Sequence, residues 1–206
     1  LQVVRAARPG PTGRVGHKSG AGGDSAGEGL HEHPTEGELA GLASGGNVGR
    51  LGGRTVAICG DVEHNGVGSA NRHLVTSVGS SVRLVGPPTL VPSGLGELGV
   101  DIHHRMEDGL KDADVVMMLR LQRERMSSGL VPSAREYFRF FGLDRRRLEL
   151  ARKNALVMHP GPMNRGVEIE SSIADSDQSV IQEQVEMGVA VRMAVLDRLT
   201  RSRHTA

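Results

Sequence analysis

Three clusters in this sequence combine residue types that could do chemistry. The first is Leu119-Arg120-Leu121-Gln122-Arg123-Glu124-Arg125, at the end of the apolar run Val115 to Leu119. A guanidinium at a strand end can hold a carboxylate through two parallel hydrogen bonds, and a neighbouring amide adds a donor. On spacing alone the segment reads equally well as a surface arginine cluster. The second is His159-Pro160-Gly161-Pro162, after the apolar run Ala155 to Met158. It is either a stiff turn whose backbone carbonyls face an adjoining crevice or simply a rigid connection. The third is His31-Glu32-His33-Pro34-Thr35. A histidine at a helix entrance can donate a hydrogen bond to a polarised carbonyl, beside N–H groups that favour anions. Two histidines two apart also raise a metal, but no Cys, Asp or further His follows at a recognised ligand spacing, so no metal site is expected. No Ser, Cys or Lys occupies a recognised nucleophile motif, which argues against a hydrolase.

The elements that must position these clusters alternate along the chain. Thr55 to Cys59, Ser81 to Val85, Val100 to His103, Val115 to Leu119 and Ala155 to Met158 are short apolar runs that predict strands. Between them, Ser69 to Val78, Asp108 to Asp112, Arg135 to Phe141 and Asp144 to Arg152 predict helices, and Gly60-Asp61, Gly79 and Gly86-Pro87-Pro88 predict turns. This alternation implies an α/β fold, a parallel sheet covered by helices on both faces, with Thr55–Cys59 and Val115–Leu119 as inner strands. In such a sheet ligands bind beyond the carboxyl ends of the strands, where the clusters fall. Val180 to Leu199 predicts a long helix with Ile181, Val185, Val189, Leu196 and Leu199 toward one side and further apolar residues on another.

The first part of the chain differs. Of 29 glycines, 15 precede Arg54, and residues 6–29 carry almost no large apolar side chain. Such a stretch is expected to be mobile, because it cannot bury enough surface to offset its ordering entropy. His33 to Ala43 reads as a helix weakened by Gly37 and Gly41, at about 1 kcal/mol each. The net charge of +1 provides no general electrostatic attraction to nucleic acid or anionic membrane. Arg145, Arg146 and Arg147 read as the solvated face of a helix. The single cysteine, Cys59, excludes an internal disulfide framework and suits a cytoplasmic protein, and no apolar stretch is long enough to span a bilayer. The start at Leu1 is one expected of a fragment or a processed chain.

Taken together, five segments resemble the aspartate carbamoyltransferases. They are His31 to Thr35, Val85-Gly-Pro-Pro-Thr-Leu90, Asp114-Val-Val-Met-Met-Leu-Arg-Leu-Gln-Arg-Glu-Arg125, Val157-Met-His-Pro-Gly-Pro-Met-Asn-Arg-Gly166 and Gln184-Val-Glu-Met-Gly-Val-Ala-Val-Arg-Met193. The match is strong from Arg54 onward and weaker back to Leu1. Ornithine-using relatives typically carry a cysteine in the turn that reads His159 to Pro162 here, which disfavours them.

The resemblance implies two α/β domains, a homotrimeric assembly and carbamoyl transfer from carbamoyl phosphate to L-aspartate in pyrimidine biosynthesis, without a cofactor. Residues 1–48 would be a degenerate remnant of the carbamoyl-phosphate domain, 49–178 the aspartate-binding domain, and 179–206 a helix returning to the first domain. By position, Arg5 would contact carbamoyl phosphate and His33 would hydrogen-bond its carbonyl. Arg120 would hold the aspartate carboxylate with Gln122 beside it. Gly161 and Pro162 would bring their carbonyls to the amine and carbamoyl groups.

Some positions depart from the family. Glu36 stands where the family has glutamine, in the carbamoyl-phosphate site, and Gly66 stands where it has an aspartate-binding arginine. The family's Ser-Thr-Arg-Thr-type phosphate loop and its Ser/Lys loop are not among these residues. The expectation is therefore an aspartate carbamoyltransferase chain that is inactive alone. The rival is a non-catalytic relative in complex with a complete catalytic chain. A generic nucleotide-binding domain is disfavoured, because no Gly-x-Gly-x-x-Gly loop follows the first strand.

Overall fold

Thr55-Val-Ala-Ile-Cys59 is β-branched, small or apolar throughout, and it forms β1 (Thr55–Cys59) at the centre of a parallel sheet. The computed structural model describes residues 53–62, 79–91, 94, 99–122 and 133–203. The expected mobile segment, the weak helix from His33 and the helix Ser69 to Val78 lie outside these residues. The other strands are β2 (Ser81–Val85), β3 (Asp101–His103), β4 (Val115–Met118) and β5 (Leu156–Met158), in the order β3-β2-β1-β4-β5. All pairings are parallel, with Ala57 beside Arg83 on one side and Val116 on the other. The chain steps outward from β1 to β3, then returns to the far side of β1 to lay down β4. The strand order therefore reverses between β1 and β4.

Because side chains alternate along a strand, the central strands feed two separate apolar layers. Ala57, Cys59, Val85, Val116, Met118 and Val157 face one layer, and Val56, Ile58, Val82, Leu84, Val115 and Met117 face the other. Helix α1 (Met106–Leu110) covers the first layer with Met106 and Leu110. Two more short helices add to it: α3 (Arg145–Leu148) gives Leu148, and α4 (Ser171–Ala174) gives Ile173. Truncating a fully enclosed side chain such as Ile58 to alanine costs about 2–5 kcal/mol in a core of this kind.

Helix α2 (Ala134–Phe141) starts at Ser133, whose hydroxyl accepts from the Glu136 N–H at 3.1 Å. Asp144 caps α3 in the same way, accepting from the Arg147 N–H at 2.8 Å. The arginine run is only partly the solvated face expected. Arg145 and Arg146 are exposed, but Arg147 donates to the carbonyls of Gly142 (2.6 Å), Arg139 (2.6 Å) and Phe138 (3.2 Å). The last carbonyls of a helix lack partners within it, and a cation there also meets the negative end of the helix dipole. The expected helix to Arg152 stops at Leu148, because the Arg152 N–H turns away to the Ala113 carbonyl ahead of β4.

Asp114 ties the amino ends of β1 and β4 together. One oxygen accepts from Arg54 at 2.9 Å and the other from the Thr55 N–H at 2.9 Å, with Arg152 at 3.5 Å. Burial pushes this carboxyl up, but the Thr55 N–H and the two guanidinium groups outweigh it and hold the group below its ordinary range.

The last helix is α5 (Ile181–Arg203), close to the expected Val180 to Leu199, and its apolar side chains differ in exposure along its length. Ile181 is packed in the first core layer, because Val180 is tied to Val157 beside β5 and this docks the first turn of α5. Farther along, Val185, Val189, Met193 and Leu196 are exposed. Among the described residues no helix is long and apolar enough to cross a membrane.

Candidate active site

The strand order reverses between β1 and β4, and in such sheets the general ligand position is the crevice beyond those two carboxyl ends. Gly60 follows β1 at a φ of +124°, a conformation that side chains rarely adopt. A Cβ there would also stand 3.0 Å from the Leu119 carbonyl oxygen. Its N–H donates to Val85 at 2.8 Å, while the Leu119 N–H donates to Cys59 at 2.8 Å. The close approach of β1 to the segment after β4 thus depends on a glycine.

In that segment Leu119 and Leu121 are fully buried, and Leu121 packs against Leu90 and Tyr137. Residues alternate in extended chain, so Arg120 and Gln122 are set between and beside these two anchors and remain half-buried. Burial of both leucines fixes the backbone that carries the guanidinium. Cys59 is enclosed, and burial pushes its thiol far above the ordinary range. It is a core residue, not a nucleophile.

Beyond β5, His159 is fully buried and organises the turn that follows. Its Nδ1 accepts from the Gly161 N–H at 2.9 Å, and its Nε2 lies 3.3 Å from Oε1 of Glu168. An acceptor role for Nδ1 assigns the proton to Nε2, which donates to the carboxylate. The same Glu168 oxygen accepts from the Asn164 N–H. The His159 N–H donates to Oε1 of Gln184 on α5 at 3.1 Å. Gly161 has a φ of +70°, and the Gly161–Pro162 peptide is cis.

Four buried polar atoms near these two strand ends have no hydrogen-bond partner among the described residues: Gln122 Oε1, Tyr137 Oη, Glu168 Oε2 and Gln184 Nε2. Burial pushes the Tyr137 hydroxyl strongly up, and the acidic groups Cys59, Glu168 and Asp61 add to that. A crevice of about 340 Å³ lined by Arg145, Arg152 and Gln178 is elsewhere, at the amino ends of β4 and β5, away from these groups.

The fold brings Arg120, Gln122, Gly161 and Pro162 to one edge, on the segments after the paired strands β4 and β5. Arg5, His33, Glu36 and Gly66 lie outside the described residues. Sequence reasoning placed His159 in the turn without giving it a role of its own, and missed its partners Glu168 and Gln184. A charged residue inside the apolar surroundings of Val167 and Ile169, and a glutamine among the apolar residues of α5, were the available signals.

Residues 52–199 match the family model described as aspartate/ornithine carbamoyltransferase, Asp/Orn binding domain. The aspartate carbamoyltransferase catalytic subunit of Gluconacetobacter diazotrophicus is 64% identical over 202 residues, 98% of this chain and 63% of its own. That of Gluconobacter oxydans is 62% identical over 207 residues, covering 100% of this chain and 66% of its own. The chain thus spans just under two thirds of the length of these relatives. Among solved structures, aspartate transcarbamoylase from Trypanosoma cruzi in complex with carbamoyl aspartate and phosphate superposes with a TM-score of 0.66 at 27% identity, over 80% of this chain and 55% of that one. Ornithine carbamoyltransferase from Pyrococcus furiosus shares the fold, with a TM-score of 0.68 at 24% identity over 80% of this chain and 55% of its own. The chain belongs to the aspartate/ornithine carbamoyltransferase family.

Proposed function

We propose that this chain supplies the aspartate-binding site for carbamoyl transfer from carbamoyl phosphate to L-aspartate, yielding N-carbamoyl-L-aspartate and phosphate. The observation that carries this reading is the position of Arg120, anchored by two buried leucines where the strand order reverses. Its guanidinium holds a substrate carboxylate with Gln122 beside it. The α-amine attacks the carbamoyl carbon, the C–O bond to phosphate breaks as the C–N bond forms, and the proton lost by the amine passes to the departing phosphate. Carbonyls of Gly161 and Pro162 accept from the amine and carbamoyl N–H groups. Catalysis of this type rests on positioning and on stabilising charge, with no covalent enzyme intermediate.

Arg5 and His33 serve the carbamoyl phosphate, within residues 1–48, and the working assembly is a trimer or a complex with a complete catalytic chain. Glu36 places a carboxylate beside a dianionic substrate and Gly66 removes a cation, so this chain unaided is inactive. Aspartate is favoured over ornithine as acceptor because both relatives at 62–64% identity carry the aspartate name and the turn His159 to Pro162 holds no cysteine. Equilibrium dialysis with radiolabelled L-aspartate tests the reading. Succinate is expected to displace the label and L-ornithine to leave it bound. Displacement by ornithine at similar concentrations would overturn the assignment.

A further inference from the structure

We propose that His159 is a positioning residue for the aspartate site, acting through the Gly161 N–H, and that Nδ1 is the atom that matters. The inference rests on the reading of Arg120 and the Gly161–Pro162 turn given above, and it assigns a role to a side chain that would not itself touch substrate.

The imidazole folds back beneath its own turn. Nδ1 accepts from the N–H two residues on, at 2.9 Å. The Pro160–Gly161 peptide is trans, so holding that N–H toward the ring turns the Pro160 carbonyl away from it. One hydrogen bond therefore sets the plane of an amide at the edge of the crevice. Gly161 needs such a restraint more than another residue would, because glycine is free to leave φ +70° for many other conformations. The turn has few other anchors: Pro160 and Pro162 have no N–H to give.

The ring itself is held from the other side. Nε2–H donates to Glu168 at 3.3 Å, and both side chains are fully enclosed. Glu168 also accepts from the Asn164 N–H, and the His159 N–H is fixed by Gln184 of α5 at 3.1 Å. The bond to Glu168 selects the tautomer that leaves Nδ1 free to accept. The chain of contacts thus runs from Glu168 through the ring to the Gly161 amide, and so to the Pro160 carbonyl and the start of the turn that carries the Gly161 and Pro162 carbonyls.

The two nitrogens make separable predictions. In His159→Asn the side-chain oxygen can take the place of Nδ1 and accept from Gly161, while the contact to Glu168 is lost. In His159→Gln the amide can take the place of Nε2 and donate to Glu168, while the bond to Gly161 is lost. The full 206-residue chain and both variants are titrated calorimetrically with succinate, and the exchange rate of the Gly161 amide is read by NMR alongside the melting temperature. His159→Asn is expected to bind succinate within about threefold of the parent and to keep Gly161 protected, although it melts lower. His159→Gln is expected to melt closer to the parent, yet to lose Gly161 protection and bind succinate at least about tenfold more weakly, the scale set by one hydrogen bond.

If affinity in both variants simply follows melting temperature, His159 is structural only and the inference is overturned. If Gly161 exchange is unchanged in His159→Gln, the link through Nδ1 is wrong whatever succinate does. If the parent itself binds no succinate, the aspartate-site reading fails first, and the positioning role falls with it.

Discussion

Nε2 of His159 and Oε1 of Glu168 meet at 3.3 Å with both side chains fully enclosed, nine residues apart across the turn that closes the candidate site. Removing one partner of such a pair leaves the other buried and unsatisfied. Glu168→Ala strips acceptors from His159 and from the Asn164 N–H together, and it is expected to cost about 3 kcal/mol. Urea denaturation measures this. A loss below about 0.5 kcal/mol would mean that the network contributes little to the fold.

Asp114 sets an acid limit on stability. Its carboxyl is held below the ordinary value of 3.8 in the folded chain, so folding favours its charged form. The stabilisation is fully present above the unfolded value and is lost as pH falls through the folded one. In Asp114→Asn, stability at neutral pH is expected to drop by about 2 kcal/mol, the scale of a charge-assisted hydrogen bond. The gap to the parent should close as pH falls below 3.8. Denaturant melts at a series of pH values check this, and a constant gap would contradict it.

The exposed apolar residues of α5 predict association. Val185, Val189, Met193 and Leu196 recur at helical spacing and are 43–64% exposed. A contiguous apolar stripe favours whatever can cover it, at about 1.5–3 kcal/mol per fully buried side chain. Sedimentation should show concentration-dependent association that Val189→Glu with Met193→Glu abolishes. A clean monomer at high concentration that binds no hydrophobic dye would contradict the expectation.

Glu36 is expected to oppose carbamoyl phosphate. One like charge about 4 Å away costs roughly 4 kcal/mol at an effective dielectric near 20. Solvent and distance reduce that, so Glu36→Gln should strengthen carbamoyl phosphate binding by about tenfold or more. A direct titration of both chains measures it, and unchanged affinity would place Glu36 away from the phosphate.

The sheet was legible in the sequence because each buried strand is written as an apolar run, and Val56 to Cys59 or Val115 to Met118 cannot sit elsewhere than inside. Arg120 was legible for the same reason: it follows the last residue of such a run. Contacts at long range were not. Arg147 reads as one of three solvated arginines until the carbonyls ending α2 are placed above it. His159 reads as part of a stiff turn until Glu168 and Gln184, nine and 25 residues on, are brought against it. Helix α4 is too short to show a period and has no side-chain cap at Glu170 to announce it.

Arg120 carries the central claim, that this edge of the sheet holds the carboxylate of aspartate. Calorimetric titration of succinate into the parent chain, Arg120→Lys and Arg120→Ala tests it most directly. Two parallel charged hydrogen bonds cannot be made by a point charge or by a methyl group. Binding is therefore expected to weaken in Arg120→Lys and to fall at least about tenfold in Arg120→Ala. Equal succinate affinity in the parent and in Arg120→Ala would contradict the account and move the site elsewhere.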